Sequence, residues 1–229
     1  MRKRFLVFLF PLFLMACRNK EAAPPPAADP LFLDAKVWSE EGRDDVNCFF
    51  QLKEGNADGA AVPVPAGGKL ELDGQSPAAD STRFMGVYYE VSRPMAAFTG
   101  KHSLAVSLPG GWELEESFGF QAFGLAEEWQ DSRPRAPFTI QLTNLPGKET
   151  RIRVVMIDTA FQSVDVNDLV PVTDGRLEIS QAMLNSIVDG PVMFELYKEE
   201  ELPLKKKGKT MGRLAMTYSL KREFMLGGR

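Results

Sequence analysis

Few residues able to do chemistry occur in this chain of 229 residues: one histidine, His102, and two cysteines, Cys17 and Cys48. Any Ser-His-Asp relay would have to run through His102. That residue lies in Lys101 to Leu108, where alternation sets it beside Leu104, Val106 and Leu108 and turns its neighbour Ser103 to the opposite face. The pattern favours a hydrogen-bonded core or edge histidine over a catalytic one. No Gly-x-Ser-x-Gly elbow occurs, and one histidine without a cysteine pair cannot form a histidine-rich zinc set. Asp165-Val166-Asn167-Asp168, with Asp158 and Asp174, offers oxygen ligands of the kind calcium takes. The spacing lacks the central Gly and final Glu of an EF-hand loop, so a solvated loop is the plainer expectation. A carboxylate pair for glycoside hydrolysis needs no fixed spacing, and nothing here singles one out. The expectation is a non-catalytic chain with no metal ion and no cofactor.

Binding chemistry has more candidates. Trp112 follows the Gly110-Gly111 turn, Trp129 lies in a polar stretch, and Trp38 precedes a polar loop. A flat indole near a turn can stack on a sugar ring, so Trp112 and Trp129 are candidate glycan contacts, set against ordinary core or interdomain packing. Lys198-Glu199-Glu200-Glu201 and then Lys205-Lys206-Lys207-Gly208-Lys209 fall between two strands. They read as a long hairpin loop with an acidic rise and a basic tip. Lys205, Lys206, Lys207 and Lys209 are candidate contacts for anionic lipid headgroups or polysaccharide, set against a merely solubilising loop.

The two cysteines differ in context. In Val46 to Leu52, alternation puts Val46, Cys48, Phe50 and Leu52 on one face. Cys48 is then a small buried core residue, with a reactive thiol as the sharper alternative. Cys17 ends a different pattern. Arg2, Lys3 and Arg4 precede an uncharged run of 11 residues, Phe5 to Met15. That run is short of the roughly 20 apolar residues a spanning helix needs, and suits the hydrophobic region of an export signal. It closes on Leu14-Met15-Ala16-Cys17, which resembles the lipobox of bacterial lipoproteins. The resemblance covers residues 1–17. It implies cleavage before Cys17, acylation of its sulfur and usually of the new amino terminus, and anchoring in the cell envelope. Two or three chains hold stably where one is marginal. In enterobacterial lipoproteins Asp after the cysteine favours inner-membrane retention, so the resemblance, with Arg18 in that place, implies the outer membrane.

Residues 17–30 follow as the lipidated cysteine and a Pro/Ala-rich tether around Pro24-Pro25-Pro26. Loss of Arg2, Lys3 and Arg4 with the signal (residues 1–16) takes the formal charge from −4 to −7. Such a chain is not built to hold polyanions, so nucleic acid is not expected as a partner.

Beyond residue 30, short alternating runs recur between Gly, Pro and Asp clusters: Ala35 to Trp38, Val46 to Leu52, Lys69 to Asp73, Met85 to Val91, Lys101 to Leu108 and Phe118 to Phe123. Val62 to Pro65 is proline-broken and suits an edge or loop. Residues 127–137 break the composition and read as a linker. A second series holds Phe138 to Leu142, Arg151 to Ile157, Arg176 to Ile179, Val192 to Tyr197 and Leu214 to Leu220. It also holds a short helix over Gln181 to Val188, capped by Ser180, with Met183, Leu184, Ile187 and Val188 facing inward. The chain is predicted to be mainly β, with antiparallel β-sandwich domains over 31–126 and 138–229. Their strand rhythm resembles the immunoglobulin-like domains of bacterial surface lipoproteins. The expected function is a membrane-anchored, non-catalytic binding or structural module of the envelope. Its partners are the membrane, through acyl chains on Cys17, and an envelope protein or polysaccharide. The alternatives are a glycan-binding accessory lipoprotein and a carboxylate-pair glycoside hydrolase.

Overall fold

The computed structural model describes residues 31–147, 149–206 and 208–227. The expected signal and tether, with Cys17, lie outside the described residues, as does Lys207.

The alternating runs become strands. In chain order they are β1 (Leu31–Glu40), β2 (Asp45–Glu54), β3 (Ala61–Val62), β4 (Lys69–Leu72), β5 (Ala78–Thr82), β6 (Gly86–Pro94), β7 (Gly100–Leu108) and β8 (Trp112–Phe120). There follow β9 (Gly124–Leu125), β10 (Ser132–Arg133), β11 (Phe138–Thr143), β12 (Glu149–Asp158), β13 (Val166–Thr173), β14 (Arg176–Ile179), the helix α1 (Gln181–Asn185), β15 (Gly190–Lys206) and β16 (Lys209–Leu226). The protein is mainly β. Asp174 and Gly175, with φ of 50° and 79°, form the two-residue turn that joins β13 to β14, because both positions need left-handed backbone.

In the first half, β4, β7 and β8 form a 3-stranded sheet. Its inward residues Leu70, Leu104, Val106, Leu114 and Phe118 share one core with Leu33, Val37, Cys48 and Phe50 of β1 and β2. Those two strands belong to a 13-stranded sheet that runs through the whole molecule. In the second half this sheet turns back over itself at β13 and β14, which pair over only two rungs. The turn brings Phe138 of β11 edge-on to Phe224 of β16, their ring centroids 6.1 Å apart.

The hairpin β15–β16 ties the halves together. Its base pairs with β12 through Val192 to Tyr197. Its outer half pairs with β1, from Leu33 opposite Gly212 to Glu40 opposite Ser219. That last pairing is parallel, an exception to the antiparallel expectation. Gly212 makes the approach feasible, since a Cβ there would lie 2.4 Å from the Leu33 carbonyl oxygen. The C-terminal strand therefore belongs to the layers on both sides of residues 127–137.

Two local expectations are corrected. Lys198 to Lys206 is strand, not loop, and the chain reverses between Lys206 and Lys209. The charges hide an alternation in which Lys198 and Leu204 are buried while Glu199, Glu201 and Lys205 are exposed. The helix is also shorter than Gln181 to Val188. Ser180 caps it by accepting from the Met183 amide at 3.3 Å, but the chain leaves helix after Asn185, and Val188 is exposed.

Candidate functional site

His102 is fully engaged in packing. Its Nδ1 lies 2.8 Å from the Asp73 carboxylate and its Nε2 lies 3.0 Å from the Phe98 carbonyl oxygen. The ring stacks on Phe98 with centroids 3.7 Å apart. Asp73, held at a positive φ of 52°, also accepts from the Ser103 amide at 2.8 Å. The arrangement pins the turn after β4 to β7. Both ring nitrogens are occupied, so no substrate reaches them without breaking that contact.

The carboxylates around Asp165 do not converge. Asp158 is buried and accepts from the Gln162 and Ser163 amides and the Ser163 hydroxyl, bonds that hold its pKa below the usual carboxylate value. The expected solvated loop is instead largely strand: Asp168 lies on β13, and Asp174 sits in the turn at the far end of that strand. No group of three or more His, Cys, Asp or Glu side chains suited to a metal is found among the described residues. Cys48 is buried, and burial pushes its thiol up to about 12. A thiol held protonated is a poor nucleophile.

The predicted contact residues sit as follows. Trp129 is half-buried, stacked on Phe194 at 5.1 Å and edge-on to Phe224 at 5.8 Å, with the Arg133 guanidinium 4.8 Å from its ring centre. Its indole N–H donates to the Glu223 carbonyl at 2.8 Å. Trp112 is half-buried against the core, and its indole nitrogen is enclosed without a hydrogen-bond partner among the described residues. Phe194 and Arg133 occupy the Trp129 ring, and the nitrogen edge of Trp112 is turned inward. Lys206 lies 3.2 Å from the Gly111 carbonyl and 3.7 Å from Glu113, which docks the hairpin tip on the β7–β8 turn. Lys205 and Lys206 line a groove together with Glu71, Glu113 and Glu115, so acidic side chains meet the basic ones there. Lys209 is exposed.

A different surface collects recognition chemistry. Along β1, Ala35 and Val37 are fully buried, while Lys36 and Trp38 project from the outer face of the large sheet. Trp38 is 42% exposed. It stands opposite Asn47 on β2 and Thr217 on β16. Side chains directly opposite on neighbouring strands are about 4.5–5.5 Å apart at Cβ, so these three form one rung. The next rung carries Glu40, Ser219 and Tyr197. Between them runs a groove of about 630 Å³.

Its charges are balanced and tied down. Arg43 donates to Glu40 at 2.9 Å, the Ser92 hydroxyl donates to Asp45 at 2.8 Å, and the Lys36 ammonium lies 5.9 Å from the Phe49 ring centre. Tyr197 donates to Glu195. Burial first, and that bond second, push its phenol up to about 12, so it stays neutral. The motifs did not single out this groove. The signal was present in the alternation, which sends Lys36, Trp38 and Glu40 outward while Ala35, Val37 and Ser39 turn in.

No protein-family model matches the chain, and no curated protein matches it. Among solved structures, it is similar to Escherichia coli α2-macroglobulin activated by porcine elastase, at 19% identity and a TM-score of 0.29. That match covers 86% of this chain but 20% of the other. It is also similar to the tandem Ig repeats of Dlar, at 9% identity over 84% of this chain and 98% of that one, with a TM-score of 0.26. A third match, Dpr11 IG1 bound to DIP-gamma IG+IG2, has 7% identity, covers 86% and 99% of the two chains and scores 0.26. Scores this low transfer no property to this chain.

Proposed function

We propose that the chain is an envelope lipoprotein, held at the outer membrane by acyl chains on Cys17, and that it works as a non-catalytic binding module with the Trp38 groove as its contact surface. The observation that carries this reading is the order Leu14-Met15-Ala16-Cys17 behind a basic and apolar leader, followed by a Pro/Ala tether that ends where β1 begins. Trp38 lies towards the end of β1 remote from that tether, which favours access by a ligand off the membrane. The lone histidine supports a binding role over a triad, since both its nitrogens serve packing.

Acyl labelling of parent and Cys17→Ala strains tests the anchor. The parent should take up an acyl label and migrate as the cut form, and the variant should take up no label and migrate at the size of the uncut chain. A Cys17→Ala protein that takes up the label or migrates with the parent would end the anchoring claim. Protease treatment of intact against lysed cells then reports which side of the envelope the β-layers face.

A further inference from the structure

We infer that the groove around Trp38 is a binding site for a neutral oligosaccharide. The inference rests on the binding-module reading above and names its ligand class.

A pyranose ring offers a face of C–H bonds and an edge of hydroxyls. It is held by a flat apolar platform with hydrogen-bonding side chains at its margin. Trp38 supplies the platform. Among the described residues, no aromatic ring or cation stacks on it, in contrast to Trp129. Asn47 and Thr217 flank it on the same rung, and neither makes a side-chain hydrogen bond among the described residues. The Asn47 amide both donates and accepts, as does the Thr217 hydroxyl, which matches the dual character of sugar hydroxyls.

Charge argues for a neutral ligand. Lys36 and Arg43 face Glu40 and Asp45 in the same groove, and Arg43 is already paired with Glu40. An anionic glycan would meet those carboxylates, and a cationic one would meet the ammonium and guanidinium groups. The volume of about 630 Å³ lies within the roughly 300–1,000 Å³ usual for small-ligand sites. A protein partner is less well served. Trp38 is the one large exposed apolar side chain of the groove, whereas a protein interface needs a wider apolar centre.

The test uses the full mature chain in detergent, titrated by calorimetry against cellohexaose, xylohexaose, mannohexaose, laminarihexaose and maltohexaose, with hexamers of galacturonic acid and glucosamine as charged comparators. At least one neutral hexamer should bind. Trp38→Ala should weaken it about 30-fold, the scale of losing an aromatic anchor, and Asn47→Ala should weaken it less, with the denaturation midpoints of both variants unchanged. Silence of all five neutral hexamers, preference for a charged comparator, or binding that Trp38→Ala leaves intact would each overturn the inference. The acyl labelling of Cys17→Ala is independent. A protein that is anchored but silent to sugars refutes the ligand class alone. One that binds a neutral hexamer but is never anchored refutes the lipoprotein reading alone.

Discussion

Trp38 and Trp129 are the same residue in two environments. Trp129 is enclosed by Phe194, Phe224 and Arg133, and its N–H is used by the Glu223 carbonyl. Trp38 stands on the outer face of a strand whose inner face is fully buried, between two short polar side chains. Trp129 lies in a polar, proline-containing stretch that reads as a linker, and it is a packing residue. Trp38 lies in a strand beside core residues, yet it is open. Local polarity of sequence thus says little about a tryptophan's exposure. Strand phase and the choice of neighbouring strand decide it.

The largest expected effect sharpens that contrast directly. Trp129→Ala removes a stacked aromatic and leaves a void among Phe194 and Phe224, and should cost about 3 kcal/mol in urea denaturation. A cost within about 0.5 kcal/mol, the range of ordinary surface substitutions, would erase the distinction between the two tryptophans.

Asp34 comes next and checks the β1–β16 seam. Its buried carboxylate is 2.8 Å from Arg213 and 3.3 Å from Lys53. Burial opposes its charge, but the hydrogen bond and charge of Arg213, aided by Lys53, outweigh burial and hold its pKa below the usual value. A carboxylate with a depressed folded pKa adds stability that is complete above the unfolded value, about 3.9, and is lost as pH falls through the folded one. Asp34→Asn should cost about 2 kcal/mol at pH 7, the scale of a lost hydrogen bond to a charged group. It should also flatten the parent's loss of stability below about pH 4. Equal acid limbs for parent and variant, traced by urea midpoints from neutral to acidic pH, would remove Asp34 from the account.

Asp73→Ala is smaller. It frees His102 Nδ1 and the Ser103 amide, and should cost about 1–2 kcal/mol while leaving any ligand binding at Trp38 unchanged. A calorimetric scan beside a binding titration reads both halves of that statement. Smallest in energy is the expectation for Trp38→Ala, a change within about 0.5 kcal/mol. Cys48 offers a check without mutation of the core. In a Cys17→Ala background the folded chain should not react with a thiol reagent at pH 8, and the urea-unfolded chain should show one reactive thiol.

Much of the β character was legible because it depends on local alternation. The strand expected over Lys69 to Asp73 forms and ends at Leu72, and the Gly110-Gly111 turn stands where the pattern puts it. The burial of Cys48 and His102 followed from the same two-residue period. The long reach of β15 was not legible. Lys198 to Lys206 carries more charge than apolar character, and its strand conformation depends on β16 pairing along its full length. The groove escaped notice for a related reason. Asn47, Trp38, Thr217 and Tyr197 come from four separate stretches of sequence and meet only through cross-strand register.

By itself, the sequence determined the order of residue types from Met1 to Pro30, the scarcity of histidine and cysteine, and most of the strands. Each is a matter of residue type or short-range period. Tertiary structure alone decided that the last strand lies parallel to the first, that one hairpin serves both layers, and which tryptophan is open. Those outcomes depend on pairings between residues as far apart as Leu33 and Gly212, and no local period encodes which distant strand a given edge will accept.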